Sequence, residues 1–343
     1  MILHNKYSKE ELLKRLESET FKRKTLSFYR YVTIDKPWDF RNKLYQELTE
    51  LECNGRIYVA REGINAQMNV PEHNKTKLQA LLNSYNELQD MPIKWALEEK
   101  KHSFHKMIIK VRKKIVADGL NDADFDPSNV GRHLSPMEFH RLSKDENTIV
   151  VDMRNHYESA IGRFKNAWCP DVDTFREEIE LVVNELSDKK EHKILLYCTG
   201  GVRCEKASAY MRHKGFQDVN QLHGGIIAYA DEMCRLGIES NFIGKNFVFD
   251  ERLGEAVTED ILGHCHQCGT PCDSYTNCAN DDCHLLFIQC EACATRHAGC
   301  CSDECKSVLS LSEPERFVYR NKLREKYAES QIFRSRLRPK LYT

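Results

Sequence analysis

The strongest constraint on this chain is an apolar run, Ile194-Leu195-Leu196-Tyr197, that leads straight into Cys198-Thr199-Gly200-Gly201-Val202-Arg203-Cys204. Glu205-Lys206-Ala207-Ser208-Ala209-Tyr210-Met211 then reads as a helix. A short apolar strand, a glycine turn and a helix form a βα unit, which places Cys198 at the carboxyl end of a strand, where open α/β sheets hold their ligands. Glycines let the loop curl so that several N–H groups face one point, beside the positive end of the next helix. A thiol at such a focus, with Arg203 beside it, loses its proton easily and acts as a nucleophile. The alternative for Cys198 is a buried core cysteine.

These residues resemble the active loop of the rhodanese (sulfurtransferase) family. The likeness extends upstream to Val150-Val151-Asp152-Met153-Arg154 and Glu158, and downstream to Gln221-Leu222-His223-Gly224-Gly225-Ile226. The stretch Ile161-Gly162-Arg163-Phe164 departs from the family pattern. On this reading Cys198 and Arg203 are catalytic candidates, and Thr199, Gly200, Gly201 and Val202 line the substrate. Arg203 is either structural or anion-facing. Cys204 is either a resolving thiol for Cys198 or a small residue that starts the helix. Asp152 and Arg154 read as a structural ion pair.

With 343 residues the chain has room for two or three domains. A net charge of −1 and an ordinary aromatic content suit a typical soluble protein. No apolar run reaches membrane-span length and the first residues lack a signal-peptide core, so the expected compartment is the cytoplasm and no membrane partner is expected. In a reducing compartment, fifteen cysteines imply metal ligands or reactive thiols rather than disulfides.

Residues 1–20 form an N-terminal helical extension, with Ser8 as its cap and Glu11 three residues on. Residues 21–120 read strand, helix, strand, strand, helix, strand, the order of a ferredoxin-like (acylphosphatase-like) α+β domain, with Met107-Ile108-Ile109-Lys110-Val111 as the closing strand. Within it, Arg61-Glu62-Gly63-Ile64-Asn65-Ala66 links two strands, as a plain hairpin turn or as a site for Glu62 and Asn65. Lys106, Lys110, Arg112, Lys113 and Lys114 form a solvated face or a phosphate-backbone surface. Asp118–Asn129 reads as a linker. The central α/β rhodanese domain takes residues 130–240.

The last segment, 241–343, holds ten of the cysteines between Cys265 and Cys305. Cys265-x2-Cys268 and Cys290-x2-Cys293 have zinc-ribbon spacing. If two sites alternate along the chain, one takes Cys265, Cys268, Cys290 and Cys293. The other takes Cys278, Cys283, Cys305 and either Cys301 or Cys300. Cys272, His264, His266, His284 and His297 are spare candidates, and structural zinc is the expected metal. From Pro314 onward nine cations face three anions, interleaved with aromatics, as suits an RNA backbone or a solvated helix.

A Glu-Gly-Ile-Asn motif in a ferredoxin-like half, the Cys198 loop and a cysteine-rich end together resemble the bacterial tRNA uridine(34) hydroxylase family over nearly the whole chain. The resemblance implies oxygen-dependent 5-hydroxylation of the wobble uridine, with Cys198 essential, molecular oxygen as co-substrate and the tRNA anticodon loop as partner. No flavin fingerprint or two-His-one-carboxylate triad can be picked out, so no organic cofactor is expected. The alternatives are a sulfurtransferase working through a Cys198 persulfide, and a zinc-stapled RNA-binding module.

Overall fold

A computed structural model of the chain describes residues 3–99 and 102–326. Helix α1 (Lys9–Glu17) is closed by a reciprocal cap: the Glu11 amide donates to the Ser8 hydroxyl, and the Ser8 amide donates to the Glu11 carboxylate. The first domain then runs β1 (Arg23–Tyr31), α2 (Pro37–Glu50), β2 (Asn54–Ala60), β3 (Gly63–Pro71), α3 (Lys75–Asn83), β4 (Lys94–Trp95) and β5 (Met107–Val111). Alternation along β1 and β3 sends Leu26, Phe28, Ile64, Ala66 and Met68 to one face, where Leu44 and Leu48 of α2 and Leu78 of α3 cover them. Full burial of each such leucine is worth about 2 kcal/mol. The opposite face carries Ser27, Tyr29, Asn65 and Gln67 and turns towards the second domain.

The strand order is β4-β1-β3-β2-β5. The fourth position of the ferredoxin-like pattern, beside β1, belongs to Lys94–Trp95, paired as Leu26↔Trp95 and Ser27↔Lys94. Met107–Val111, expected there, instead adds a fifth strand on the far edge, parallel to β2. The edge of β1 is already taken when the chain reaches Met107, and the free edge of β2 accepts the apolar run. The link after β2 is a two-residue turn, Arg61-Glu62; Gly63 to Ala66 lie within β3.

The second domain contains β6 (Arg132–Leu134), α4 (Pro136–Leu142), β7 (Thr148–Asp152), α5 (His156–Ser159), β8 (Gly162–Phe164), α6 (Phe175–Glu185), β9 (Lys193–Tyr197), α7 (Val202–His213), β10 (Asp218–Leu222) and α8 (Gly225–Leu236). Its parallel sheet has the order β6-β10-β9-β7. Ile194 and Leu196 pack with α6 and α7 on one face, and Leu195 and Tyr197 with α4 and α8 on the other. This two-sided burial explains why β9 is an uninterrupted apolar run.

Strand β11 (Phe242–Asn246) pairs with β8 and with β12 (Glu255–Ala256), tying the last segment to the second domain. A hairpin of β13 (Tyr275–Asn277) and β14 (Leu286–Ile288) follows, then α9 (Glu291–Arg296), α10 (Asp303–Leu309) and α11 (Glu313–Lys326). Among the described residues no helix is long and apolar enough to cross a membrane.

Lysines lock the first two domains together. Lys206 of α7, its side chain only 2% exposed, pairs with Glu62 at 2.7 Å and with Asp122 of the linker at 3.1 Å. Lys114 holds Asp118 and Asp122 at 2.8 and 2.9 Å, so this member of the basic run is internal rather than phosphate-facing. Removing one partner of a buried pair strands the other charges. Lys206→Met should therefore lower the unfolding free energy in urea by about 3 kcal/mol; a loss below about 0.5 kcal/mol would show that the lock adds nothing.

Candidate active site

Cys198 follows directly on β9 and is 1% exposed. Gly201 caps α7 with φ +103°, a left-handed conformation in which its amide donates to the Cys198 sulfur at 3.1 Å. A side chain at Gly201 would also meet the Tyr29 hydroxyl, 2.7 Å from the Cβ position. Burial by itself pushes the Cys198 thiol up. The Cys204 thiol, the Arg203 charge and the amides of Arg203 and Cys204 outweigh burial and bring the pKa down to about 5. At neutral pH this sulfur is a thiolate, the reactive form. Cys204 is fully buried, and burial followed by the neighbouring thiolate pushes its own pKa well up. It therefore serves as a protonated donor to Cys198.

Arg203 is committed. Its guanidinium grips the fully buried Glu158 of α5 through two hydrogen bonds, at 2.6 and 2.9 Å, and reaches the Thr199 hydroxyl at 3.3 Å. The Asn155 amide donates to the same carboxylate at 3.1 Å, so the cap of α5 also orients the arginine. Glu178 of α6 is fully buried and its carboxyl oxygens meet no donor. Burial raises its pKa well above the usual carboxylate range, with Arg203 offsetting only in part. Asp152 and Arg154 are a buried bidentate pair at 2.8 and 2.7 Å, with the Tyr197 hydroxyl donating to Asp152 at 2.7 Å. Their role is structural.

A cavity of about 430 Å³ opens onto this loop. Cys198, Thr199, Gly200, Val202 and Arg203 form one wall. The polar face of the first domain forms another, through Tyr29, Arg56, Asn65, Gln67 and Lys94. The segment after β11 supplies Phe249, which is 41% exposed at the rim. Tyr29 donates to Glu205 at 3.0 Å, and Glu205 is held as well by His133 and Gln221. Glu62 accepts the Ile115 amide at 2.8 Å and Asn65 donates to the Ile115 carbonyl at 3.3 Å, so this motif shapes the cavity wall. Sequence reasoning missed Tyr29 and Lys94. The alternation in β1 put Tyr29 on the polar face, but nothing local said what that face would meet.

The cysteines converge in two groups, Cys265, Cys268, Cys290 and Cys293, and Cys278, Cys283, Cys301 and Cys305, with the sulfurs of each group within 4.8 Å of one another. Sulfurs stand 3.6 Å apart for Cys268 and Cys290 and 3.7 Å for Cys283 and Cys301. A tetrahedral zinc with bonds of about 2.3 Å needs sulfurs about 3.8 Å apart, so the donor set fits. The Cys290 amide donates to Cys265 and the Cys301 amide to Cys278, each at 3.4 Å. Cys301, not Cys300, joins the second group.

Of the C-terminal cations, Arg316 donates to the Leu309 and Leu311 carbonyls, and Arg320 pairs with Asp282 at 2.7 Å. Both dock α11. Residues 327–343, with Arg334, Arg336, Arg338 and Lys340, lie outside the described residues.

Family models match three consecutive segments: the UPF0176 acylphosphatase like domain over residues 23–115, the Rhodanese-like domain over 135–232, and the Rhodanase C-terminal over 243–306. A protein of Leptospira interrogans named tRNA uridine(34) hydroxylase is 54% identical over 340 residues, covering 99% of this chain and 92% of that one. Proteins of the same name from Photorhabdus laumondii and Cronobacter sakazakii are 49% and 50% identical over 315 residues, 92% of this chain and 90% of each of theirs. With identity of this extent across all three segments, the chain belongs to the tRNA uridine(34) hydroxylase family.

Proposed function

We propose that this protein hydroxylates C5 of uridine 34 in tRNA, with dioxygen as oxidant and Cys198 as the covalent catalyst. The observation that carries the reading is the cavity that joins a low-pKa thiolate to a polar sheet face from another domain. Its volume falls in the range of roughly 300–1,000 Å³ typical of small-ligand sites. Enzymes that act on a base take it out of the stack, and anticodon-loop bases are already exposed to capture. A tRNA substrate also implies work in the cytoplasm.

The Cys198 thiolate adds to C6 of the uracil ring, and the C5–C6 π pair moves onto O4 as an enolate. C5 then bonds to dioxygen and, with a proton, gives a C5 hydroperoxide. A pair of thiols supplies two electrons and two protons, cleaving the O–O bond to leave C5–OH, water and a disulfide. Loss of the C5 proton with departure of the Cys198 sulfur restores the double bond. The sum is uridine, dioxygen and two thiols giving 5-hydroxyuridine, water and a disulfide. Arg203 acts here by holding Glu158 and by depressing the thiol, and the loop amides at Gly201, Arg203 and Cys204 hold the sulfur charge. The two four-cysteine groups hold structural zinc, which staples a segment with only small apolar clusters of its own.

Nucleosides from tRNA of cells lacking the gene should regain 5-hydroxyuridine derivatives with the wild type and not with Cys198→Ala. Full restoration by Cys198→Ala would sink the reading, and loss of a thiolated nucleoside instead would favour the sulfurtransferase. Alkylation of Cys198 by iodoacetamide should rise as pH increases through about 5, because only the thiolate reacts; a midpoint in the usual thiol range near 8.5 would refute the depressed pKa. Elemental analysis should find zinc at two equivalents per chain, one for each cysteine group. Cys290→Ser should lose one equivalent and lower the thermal midpoint, whereas a metal-free wild type of unchanged stability would exclude the staples.

A further inference from the structure

Four basic residues line the cavity: Arg56, Lys94, Arg203 and Arg252. Arg203 is occupied by Glu158, and Arg252 by Asp250 at 2.6 Å. Arg56 is exposed on β2. Lys94 differs from all three. It is half-buried, and among the described residues no carboxylate comes within ion-pair distance of its ammonium. The ammonium stands 4.5 Å from the centre of the Tyr29 ring. The stem passes the start of α8, with Cε 3.7 Å from the Cβ position of Gly224. Two residues on, the Ile226 amide donates to the Cys198 carbonyl at 3.0 Å. The stem of Lys94 therefore packs on the turn that grips the reactive cysteine, although the residue belongs to the other domain.

We propose that Lys94 is a catalytic residue of the hydroxylation, its ammonium meeting the oxyanion that forms on uracil O4 when the Cys198 sulfur bonds to C6. The inference rests on the function proposed above. As the S–C6 bond forms, the C5–C6 π pair moves to O4; Lys94 keeps its proton and donates a hydrogen bond to the new charge. When C5 attacks dioxygen the pair leaves O4 and the ammonium is free again. A fixed cation aimed at charge that appears only in the transition state is the most effective kind of stabilisation. Arg56, exposed on the same lining, is the cation open to a nucleotide's phosphates, while Lys94 lies near enough to Cys198 to feel its charge. Its surroundings also keep it responsive. Burial draws its pKa down to about 8, against the opposing pull of Cys198 and Glu205; Tyr29 and His223 face it as well.

The test uses the purified full-length protein, unmodified tRNA with uridine at position 34, dioxygen and dithiothreitol, with 5-hydroxyuridine read by mass spectrometry and Cys198→Ala as the inactive control. Lys94→Met should lose about 10²–10³-fold in single-turnover rate while tRNA affinity and thermal midpoint stay at the wild-type values. In the wild type kcat/KM should rise with pH through about 5 as Cys198 ionises and fall through about 8 as Lys94 loses its proton. Lys94→Arg should retain activity and move the falling limb above pH 10 or so, since a guanidinium keeps its proton there. A Lys94→Met protein at the wild-type rate overturns the proposal. So does one whose rate recovers at saturating tRNA, which would make Lys94 a phosphate contact. Should Lys94→Met fail to fold, an unmoved alkaline limb in Lys94→Arg overturns it equally. A wild type that makes no 5-hydroxyuridine sinks the functional reading, and this inference with it.

Discussion

A charged sulfur shut away from solvent survives only if donors replace the water it has lost. At Cys198 the donors come from the backbone turn and the residues directly after it, so the strand, the glycine and the first turn of α7 form one device. The device has its own support. Arg203 lies where its charge reaches the sulfur because Glu158 holds both of its terminal nitrogens, and Glu158 is set by the cap of a helix of only four residues, α5. Cys204 completes the shell with a thiol that burial keeps protonated. Each member is buried, and a buried polar network is only worth having when all of its members are satisfied.

Helix α7 serves two domains. Its first residue accepts a hydrogen bond from Tyr31 at 3.2 Å, and Glu205 accepts one from Tyr29. Lys206, one residue further on, reaches Glu62 in the opposite hairpin. The polar face of the first sheet is thus not a spare surface but half of the cavity, which gives the extra domain a physical purpose that a bare rhodanese-like domain lacks. Gly201 shows the tolerance involved: its conformation and the Tyr29 hydroxyl beside it both exclude a side chain.

Much of this could be read from residue order alone. The Cys198 loop announces itself through a local pattern, and the paired cysteines do so through spacing, so the grouping expected for Cys265 to Cys305 is the grouping in which the sulfurs meet. Both signals are short-range. What escaped was long-range. Lys94–Trp95 is too short a strand to show a period, so in sequence the longer run at Met107 reads as the fourth strand of the sheet. The engagement of Arg203 depends on Glu158, far off in sequence, and a lone lysine at position 94 carries no local sign that it faces a thiolate. The internal use of Lys114 was hidden for the same reason: a run of cations looks alike whether its partners are phosphates or carboxylates yet to come.

The walls of the cavity span the chain from Thr25 to Glu255. The features that ionise Cys198, in contrast, follow it within a few residues or, like Glu158, precede it. On a ribosome the sheet that carries Tyr29 emerges first, and the rim residue Phe249 only after the sulfur is already in place. The sulfur itself packs among residues of its own domain, such as Val151, Phe175 and Ala207, so its surroundings form without the last segment, whereas the cavity in front of it waits for that segment. In the order of synthesis the nucleophile's setting is complete before the space that a substrate would fill, and the segment after β11 supplies the last wall of that space.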